Sequence, residues 1–412
     1  MIKIEKTIKD LCPNGVVFKK LKSLVNFTNG KGHEKVVEEN GKYILITSKA
    51  ISTDMQQVRR TNKILTPLNK DDITMVMSDL PNGRALAKCF IIDAEETYTL
   101  NQRVCGLKVI NTNEILPKYL YYVLNRNTQL LKYDNGVDQT NLKKDDILNI
   151  NIAVPPIDAQ REIIKILDNF TLLLKTLSEE LNARIMQYEF YKNCLLEPKK
   201  NYKKISMKDI CSIITKQTGF DYSATIKPSL VQTNSNETLS FIQNKDFNGR
   251  SFNYNTDYYI PKSVASKFPK ITLDQPSILF SISGKIGNVG LFMNKEKAFI
   301  GGAICICKLE EDIELLPEYI MYYAQSKYGQ KYLFKNIKAA SHLNITVEAI
   351  RELEIYYPSI EEQKRIVNIL NSFDTLCNDI YDGLPAEIEK RQKQYEYYRD
   401  KLLNFKEAEV NE

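Results

Sequence analysis

The chain has 412 residues, of which 43% are hydrophobic and 26% are charged; this length fits two to three domains, and this composition permits a sizeable core and excludes wholesale disorder. Lys and Arg exceed Asp and Glu by six, a mild excess that is compatible with a polyanionic partner and does not by itself establish one. Because no run of about 18 apolar residues occurs and the N-terminus has no apolar signal core, we expect a cytoplasmic protein without a membrane partner.

The first segment, residues 1–153, is predicted to be globular. A strand-like apolar run lies near Ile73 to Val76, and Leu116-Pro117-Lys118-Tyr119-Leu120 opens a Tyr-rich stretch with helical spacing. We take this segment as the first of two globular domains.

A long helix is predicted next, within residues 154–197. It follows Pro155-Pro156, and its apolar residues recur at alternating spacings of four and three, which is the seam of a coiled coil. The residues of this seam are Ile163, Leu167, Phe170, Leu174, Leu177 and Leu181. Ending at Glu197-Pro198, the helix is nearly forty residues long, or about 55 Å at 1.5 Å per residue.

The remainder of the chain repeats the first part. Leu316-Pro317-Glu318-Tyr319-Ile320 matches the segment that begins at Leu116, and Ser277 to Ser281 resembles the run near Ile73. Gln394-Tyr395-Glu396-Tyr397-Tyr398 likewise matches Gln187-Tyr188-Glu189-Phe190-Tyr191. Matches in the same order indicate an internal duplication.

This duplication predicts an α+β fold with two globular domains separated by long antiparallel coiled-coil helices and related by a pseudo-twofold axis. The second domain covers residues 198–356, a distal helical region covers 357–405, and a tail covers 406–412. Within the distal region, Gly383-Leu384-Pro385 is expected to break or bend the helix, because Pro removes a helical hydrogen bond.

Several motifs resemble those of a known family. Pro155-Pro156-Ile157-Asp158-Ala159-Gln160-Arg161-Glu162-Ile163, its copy from Pro358 to Ile366, and the Gln394–Tyr398 block resemble the conserved regions of type I restriction enzyme specificity subunits. The stretch from Ser277 to Gly287 looks like the strand and Gly-rich turn of that family's target-recognition domains. The likeness covers nearly the whole chain.

The resemblance implies a subunit that carries out no chemistry itself. It would read a split double-stranded DNA target with its two domains, hold two modification subunits that methylate adenine, and recruit restriction subunits where these exist. S-adenosylmethionine is expected on the modification subunits, and this chain is expected to bind no cofactor.

A catalytic centre and a metal site are not predicted for this chain. Val154-Pro155-Pro156-Ile157 lacks the polar and aromatic flanks of an adenine methyltransferase loop, and no Gly-Lys pair has the spacing of a phosphate-binding loop. The eight cysteines show neither zinc-binding nor disulfide spacing, and His33 and His342 are the only histidines.

Recognition of DNA needs cations for phosphates, and Arg, Lys, Asn or Gln for base edges. For each candidate the alternative of an ordinary solvated polar residue stays open. The candidates of the first domain are Lys31, Lys49, Arg59, Arg60, Lys63, Asn82, Arg84 and Gln139. Those of the second domain are Gln243, Lys245, Asn248, Arg250, Lys262, Lys267, Lys285, Asn288, Ser341 and His342; Lys262 and Lys267 share a helix-like spacing with Lys270.

Two other functions fit the same sequence. One is a solitary duplex-binding protein without methyltransferase partners, and the other is a scaffold whose coiled coil organises proteins while its globular domains bind peptides. Neighbouring genes, co-purification with a methyltransferase and sequence-selective DNA binding would distinguish them.

Overall fold

The structure, a computed structural model, describes residues 11–81, 83–293, 296–339, 343–378 and 383–408. The chain forms two compact units. Unit 1 contains the described residues up to Lys175 together with those from Lys390 onward, and unit 2 contains those from Thr176 to Glu389. The domain boundaries that we predicted from the sequence stay predictions.

Unit 1 is built from short strands and helices. Its strands are β1 (Val17–Lys20), β2 (Val25–Asn29), β3 (Tyr43–Ile46), β4 (Arg59–Thr61), β5 (Ile73–Val76), β6 (Ser78–Asp79), β7 (Cys89–Ile91), β8 (Tyr98–Leu100), β9 (Val104–Val109), β10 (Thr140–Asn141) and β11 (Asn151–Val154). Its short helices are α1 (Ser48–Ser52), α2 (Pro117–Leu124), α3 (Thr128–Leu131) and α4 (Lys144–Leu148).

The sheets of unit 1 enclose two hydrophobic clusters. A four-stranded sheet has the order β2-β9-β5-β7, a three-stranded sheet has the order β4-β3-β8, and two antiparallel pairs join β1 with β11 and β6 with β10. Strands β3 and β8 are parallel. All four residues of β5 are buried, because apolar side chains cover both faces of that strand.

Unit 2 repeats this set of elements with insertions. Its strands are β12 (Lys203–Ser206), β13 (Cys211–Lys216), β14 (Thr238–Ile242), β15 (Phe247–Asn248), β16 (Ser251–Phe252), β17 (Tyr259–Pro261), β18 (Thr272–Leu273), β19 (Ser277–Ser281), β20 (Val289–Phe292), β21 (Ala298–Ile300), β22 (Ile304–Leu309), β23 (Ile337–Ala339), β24 (Leu343–Ile345) and β25 (Glu354–Tyr357). Its short helices are α6 (Gly219–Asp221), α7 (Lys262–Ala265), α8 (Pro317–Gln325), α9 (Lys327–Lys335) and α10 (Val347–Arg351).

The sheet topology of unit 2 matches that of unit 1. The order β13-β22-β19-β20 corresponds to β2-β9-β5-β7, and the order β17-β14-β21-β18 corresponds to β4-β3-β8 with one added strand. The central pair is again parallel, here β14 with β21, and β12 pairs with β25 as β1 pairs with β11. The internal repeat predicted from the sequence is therefore confirmed as a repeat of mixed α/β units.

Three longer helices lie among the described residues. Helix α5 (Ile157–Leu195) has 39 residues, which confirms the predicted length, and it begins in unit 1 and ends in unit 2. Helix α11 (Ile360–Asn378) belongs to unit 2, whereas α12 (Leu384–Leu403) contributes its last part to unit 1. Pro385 lies in the first turn of α12, where a missing backbone N–H costs no helical hydrogen bond.

The apolar stripes of these helices pack against each other in both units. In unit 1, the Phe170 ring of α5 stacks on Tyr398 of α12 at 5.5 Å between centroids. In unit 2, Tyr188 and Tyr191 of α5 stack on Phe373 of α11 at 6.1 and 5.6 Å. Aromatic residues of α5 thus pack against both of the other long helices, as the predicted pairing of coiled-coil helices requires.

The chain segment that follows α12 pairs with the beginning of the described chain. Within unit 1, the Val16 N–H donates to the Lys406 carbonyl at 2.9 Å, and the Ala408 N–H donates to the Val16 carbonyl at 3.0 Å. Gly15, with φ of +81°, lets the backbone approach this segment, because an added Cβ would lie 2.9 Å from backbone atoms there.

One buried glutamine in each unit explains part of the repeated motif. Gln160 accepts a hydrogen bond from the Leu116 N–H at 2.8 Å and donates to the Glu114 and Pro155 carbonyls, both at 2.9 Å. Its counterpart in unit 2 has equivalent partners. Gln363 accepts from the N–H of residue 316 at 3.0 Å and donates to the carbonyls of residues 314 and 358 at 3.0 and 3.1 Å.

These two glutamines are structural residues. Both are fully buried, and each satisfies one backbone N–H and two backbone carbonyls where a helix and a loop meet. Gln363 therefore repeats Gln160 because the same junction of helix and loop, with one N–H and two carbonyls to satisfy, occurs in both units.

Among the residues that the structure describes, no helix combines the length and the apolar composition that a membrane span would need.

Candidate DNA interface

Three of the predicted residues gather at one edge of unit 1. Lys49 lies in α1, which follows β3 almost directly, and Arg59 pairs with Leu45 near the carboxyl end of β3. The backbone of Lys31 bridges to Asn101, the residue that follows β8. Because β3 and β8 are parallel, their carboxyl ends share one edge, and all three cationic side chains are exposed there.

Two neighbouring cations are placed differently. Arg60 lies on the opposite face of β4 from Arg59 and is half-buried, with its guanidinium 3.4 Å from the Gly41 carbonyl. Lys63 is exposed, but it follows the far end of β4. The structure therefore brings Arg59 to the edge and leaves Arg60 and Lys63 away from it.

The loop between β5 and β7 carries another predicted residue of unit 1. Arg84 is exposed in this loop, while Asn82 lies outside the described residues. Gln139 donates to the Ser78 hydroxyl at 2.7 Å, immediately before β10 pairs with β6. Arg84 and Gln139 are thus carried by two neighbouring segments of the same surface.

In unit 2 the segment after β14 corresponds to the segment after β3 that carries Lys49. Gln243 is half-buried, and its N–H donates to the Asp246 carboxylate at 2.8 Å. Burial raises the pKa of the Asp246 carboxyl. Lys245 is exposed and paired with Asp257, whose hydrogen bond raises the pKa of the Lys245 ammonium and keeps it charged. Asn248 is exposed in β15.

Arg250 is held by helix α11. Its guanidinium donates to the Asn371 amide oxygen at 2.6 Å and lies 3.3 Å from the Asp374 carboxylate, whose side chain is only 10% exposed. The Tyr322 hydroxyl donates to the same Asn371 oxygen at 2.7 Å. This network ties the β15–β16 hairpin to α11, which is a structural use of Arg250.

The lysines after β17 do not share one helix. Helix α7 covers only Lys262 to Ala265, and Pro269 opens a separate 3₁₀ turn that contains Lys270. The helix-like spacing of Lys262, Lys267 and Lys270 was therefore misleading, because Pro269 cannot continue a helix that began at residue 262. All three lysines are exposed, and Lys262 donates to the Asn236 carbonyl at 2.5 Å.

The loop between β19 and β20 corresponds to the loop that carries Arg84. Lys285 is exposed there and Asn288 is half-buried. Gly284 and Gly287 have φ of +73° and +95°, so both occupy the left-handed region that favours glycine. The predicted residues Ser341 and His342 lie outside the described residues.

His33 has a structural environment. It is fully buried, with Nδ1 2.7 Å from the Lys31 carbonyl and Nε2 3.2 Å from the Thr99 hydroxyl. Within the described part of the chain, no group of three or more His, Cys, Asp or Glu side chains could hold a metal ion.

The side chains that fasten the two hairpin loops were not among the predicted residues. Asp79 and Arg126 bind the loop of Arg84, and Gln330 binds the loop of Lys285. The sequence signals were the turn-forming residues of the loops themselves, Pro81-Asn82-Gly83 in one and Gly284-Lys285-Ile286-Gly287 in the other. Arg126 and Gln330 bind loop carbonyls that lie 40 or more residues earlier, so no local pattern indicated these two side chains.

The exposed side chains on these segments of both units are of the types that bind polyanions. Exposed Lys and Arg side chains supply charge for phosphates, and amides beside them supply paired donors and acceptors. The same three segments recur in both units: the segment after the first parallel strand, the hairpin loop, and the segment that pairs with that loop.

Comparison with known proteins gives a consistent result. A family model described as the type I restriction modification DNA specificity domain matches residues 13–187 and again 199–390. A putative type I restriction enzyme specificity subunit from Haemophilus influenzae is 30% identical over 72% of this chain and 74% of its own length. The EcoR124I/EcoR124II specificity subunit from Escherichia coli is 30% identical over 72% of this chain and 73% of its own.

Solved structures support the same fold. The S subunit of a type I restriction-modification system from M. genitalium aligns with a TM-score of 0.55 and 16% identity, over 94% of this chain and 96% of that chain. A chain from a study of complex assembly and conformational transition of the type I restriction-modification system aligns with a TM-score of 0.58 and 14% identity, over 95% of this chain and 98% of that chain.

Proposed function

The chain belongs to the type I restriction-modification specificity subunits, and we propose that it reads a split double-stranded DNA target, with one unit for each half. In this role it directs adenine methylation by partner modification subunits. It also directs cleavage where a restriction subunit is present.

The recurrence of exposed cations on corresponding segments of both units supports this proposal. Each unit places exposed cations on a turn after a parallel strand and on a hairpin loop, and each unit is matched separately by the specificity-domain family. The cationic residues differ between the units, with Lys49 and Arg84 in one and Lys245 and Lys285 in the other. Two related surfaces with different side chains are suited to two different half-sites.

The partners follow from the same duplication. Two repeats with matching helices offer two equivalent positions for modification subunits, and we propose that each position holds one such subunit. These subunits would bind S-adenosylmethionine and flip the target adenine, because base methylation needs a pocket for an extruded base. The specificity chain would determine which adenine on the duplex is methylated.

Mapping of methylated adenines in the source genome, with and without this gene, tests the proposal. We expect a split motif whose methylation disappears when the gene is deleted and returns when it is supplied again. Methylation that is unchanged by the deletion would instead support a solitary DNA-binding protein.

Purification of the full chain together with co-expressed type I modification subunits gives an independent test. We expect a stable complex that binds the mapped duplex in preference to a scrambled duplex, with an affinity that falls as salt rises. Equal affinity for both duplexes would contradict sequence reading by this chain.

A further inference from the structure

The hairpin loop that carries Arg84 is fastened by a carboxylate at its base. Asp79 accepts hydrogen bonds from the N–H groups of Ala85 and Leu86 at 2.7 and 3.1 Å, and from that of Leu80 at 2.9 Å. One side chain therefore holds both ends of the loop. The Gly83 N–H closes the turn by donating to the carbonyl of residue 80 at 2.9 Å.

Gly83 is required by this arrangement. A Cβ at position 83 would lie 2.1 Å from the nearer carboxylate oxygen of Asp79, which is well inside contact distance. The carboxylate cannot move away cheaply, because it accepts from three backbone N–H groups at once.

A second side chain ties the same loop to the helices of unit 1. Arg126, which lies between α2 and α3, donates from Nη1 to the Leu86 carbonyl at 3.0 Å and lies 3.5 Å from the Gly83 carbonyl. Its own N–H donates to the Ala87 carbonyl at 2.9 Å. The φ of Arg126 is +58°, an uncommon conformation for a residue with a side chain, and these bonds help to hold it.

Unit 2 fastens its hairpin loop in the same manner with different residues. Gln330 of α9 donates to the Gly287 carbonyl and to the Ala324 carbonyl, both at 2.9 Å. Gln325 at the end of α8 donates to the Val289 carbonyl at 2.7 Å. The loop of Lys285 is thus bound to the helix pair α8–α9, as the loop of Arg84 is bound beside α2 and α3.

We propose that Arg126 and Gln330 are positioning residues that hold the hairpin loops so that Arg84 and Lys285 read bases, one in each half of the target. The inference rests on the proposed function and adds residues to it. A base contact depends on the angle of approach, and a loop fixed to helices loses little conformational entropy on binding DNA. Neither Arg126 nor Gln330 needs to touch the DNA.

The test uses the full chain expressed with its modification subunits in a host without adenine methylation, followed by mapping of the methylated motif. We expect Arg84→Ala and Arg126→Ala to relax the same half of the motif and to leave the other half unchanged. Lys285→Ala and Gln330→Met should relax the opposite half. The discrimination lost at the affected base should be about 5- to 150-fold for the two base-reading residues, the usual cost of one mismatched contact, and smaller for the positioning residues.

Matched controls lie next to the positioning residues. Lys132→Ala, after α3, and Lys331→Ala, beside Gln330 in α9, remove exposed cations from the same regions, and both should keep the wild-type motif. Arg126→Lys keeps a donor for the loop carbonyls and should restore part of the discrimination that Arg126→Ala loses.

The outcomes separate the two claims. If the wild-type complex methylates no split motif, the proposed function fails and this inference fails with it. If the wild type is active but Arg126→Ala and Gln330→Met keep its motif, or reduce methylation equally at every sequence, the positioning role is overturned while the proposed function stands.

Discussion

Replacement of Gln160 by Leu removes a fully buried amide that makes three hydrogen bonds in unit 1. The substitution leaves the Leu116 N–H without its acceptor and takes a donor from the Glu114 and Pro155 carbonyls. A buried backbone group that loses its partner costs about 1–3 kcal/mol, so for three such groups we expect the free energy of unfolding of unit 1 to fall by about 3 kcal/mol or more. Gln363→Leu should destabilise unit 2 by a similar amount.

Hydrogen exchange measured by mass spectrometry reports the two units separately. Gln160→Leu should raise exchange across peptides from residues 111–167 and leave peptides from 311–370 unchanged, while Gln363→Leu should do the reverse. Arg161→Gln is the matched control, because Arg161 is exposed and its ion pair with Asp158 is a surface contact worth well under 1 kcal/mol. A loss below about 1 kcal/mol, or equal effects in both units, would refute the assigned role of the glutamines.

Three further results are expected from single substitutions. Arg250→Ala should lower the stability of unit 2 by about 1–3 kcal/mol in urea unfolding, because the Asp374 carboxylate loses an ion pair. A relaxed base preference at unchanged stability would show instead that Arg250 reads DNA. Gly30→Ala should destabilise unit 1, since the added Cβ would lie 1.8 Å from a backbone carbonyl oxygen; wild-type thermal stability would contradict this. Burial and the hydrogen bond to Asp93 raise the pKa of Tyr98 to about 12, above the pKa of about 10 of an unfolded tyrosine. The contribution of neutral Tyr98 to stability should therefore be complete below pH about 10 and be lost as the pH rises toward 12. Tyr98→Phe should flatten that alkaline decline, which urea unfolding at several pH values measures.

The sequence was sufficient for the elements whose signal is periodic. The alternating spacing from Ile163 to Leu181 predicted a helix of nearly forty residues, and α5 has 39. The duplicated motifs predicted two similar units, and the matching sheet orders confirm them. Such features can be predicted because each depends on residues close together in the chain or on a repeated pattern.

Features that depend on contacts between residues far apart in the chain could not be predicted from the sequence. Arg250 was predicted to contact DNA, and the residue that holds its guanidinium, Asn371, lies 121 residues later in the chain. No role was predicted for Arg126, because its hydrogen-bond partners lie 40 and 43 residues earlier, in a loop with no helical or strand pattern. The contribution of the last part of α12 to unit 1 likewise depends on the packing of Tyr398 on Phe170.

The pairing of Val16 with residues 406–408 has a consequence for biosynthesis. Unit 1 begins first on the ribosome, but it contains the chain from Lys390 onward, so its final contacts cannot form until those residues have been translated. Unit 2 is continuous in sequence from Thr176 to Glu389 and can complete its contacts earlier, although domains of a nascent chain usually finish folding in N- to C-terminal order. A nonsense mutation near codon 390 would therefore leave unit 2 with all of its residues and leave unit 1 without its C-terminal segment.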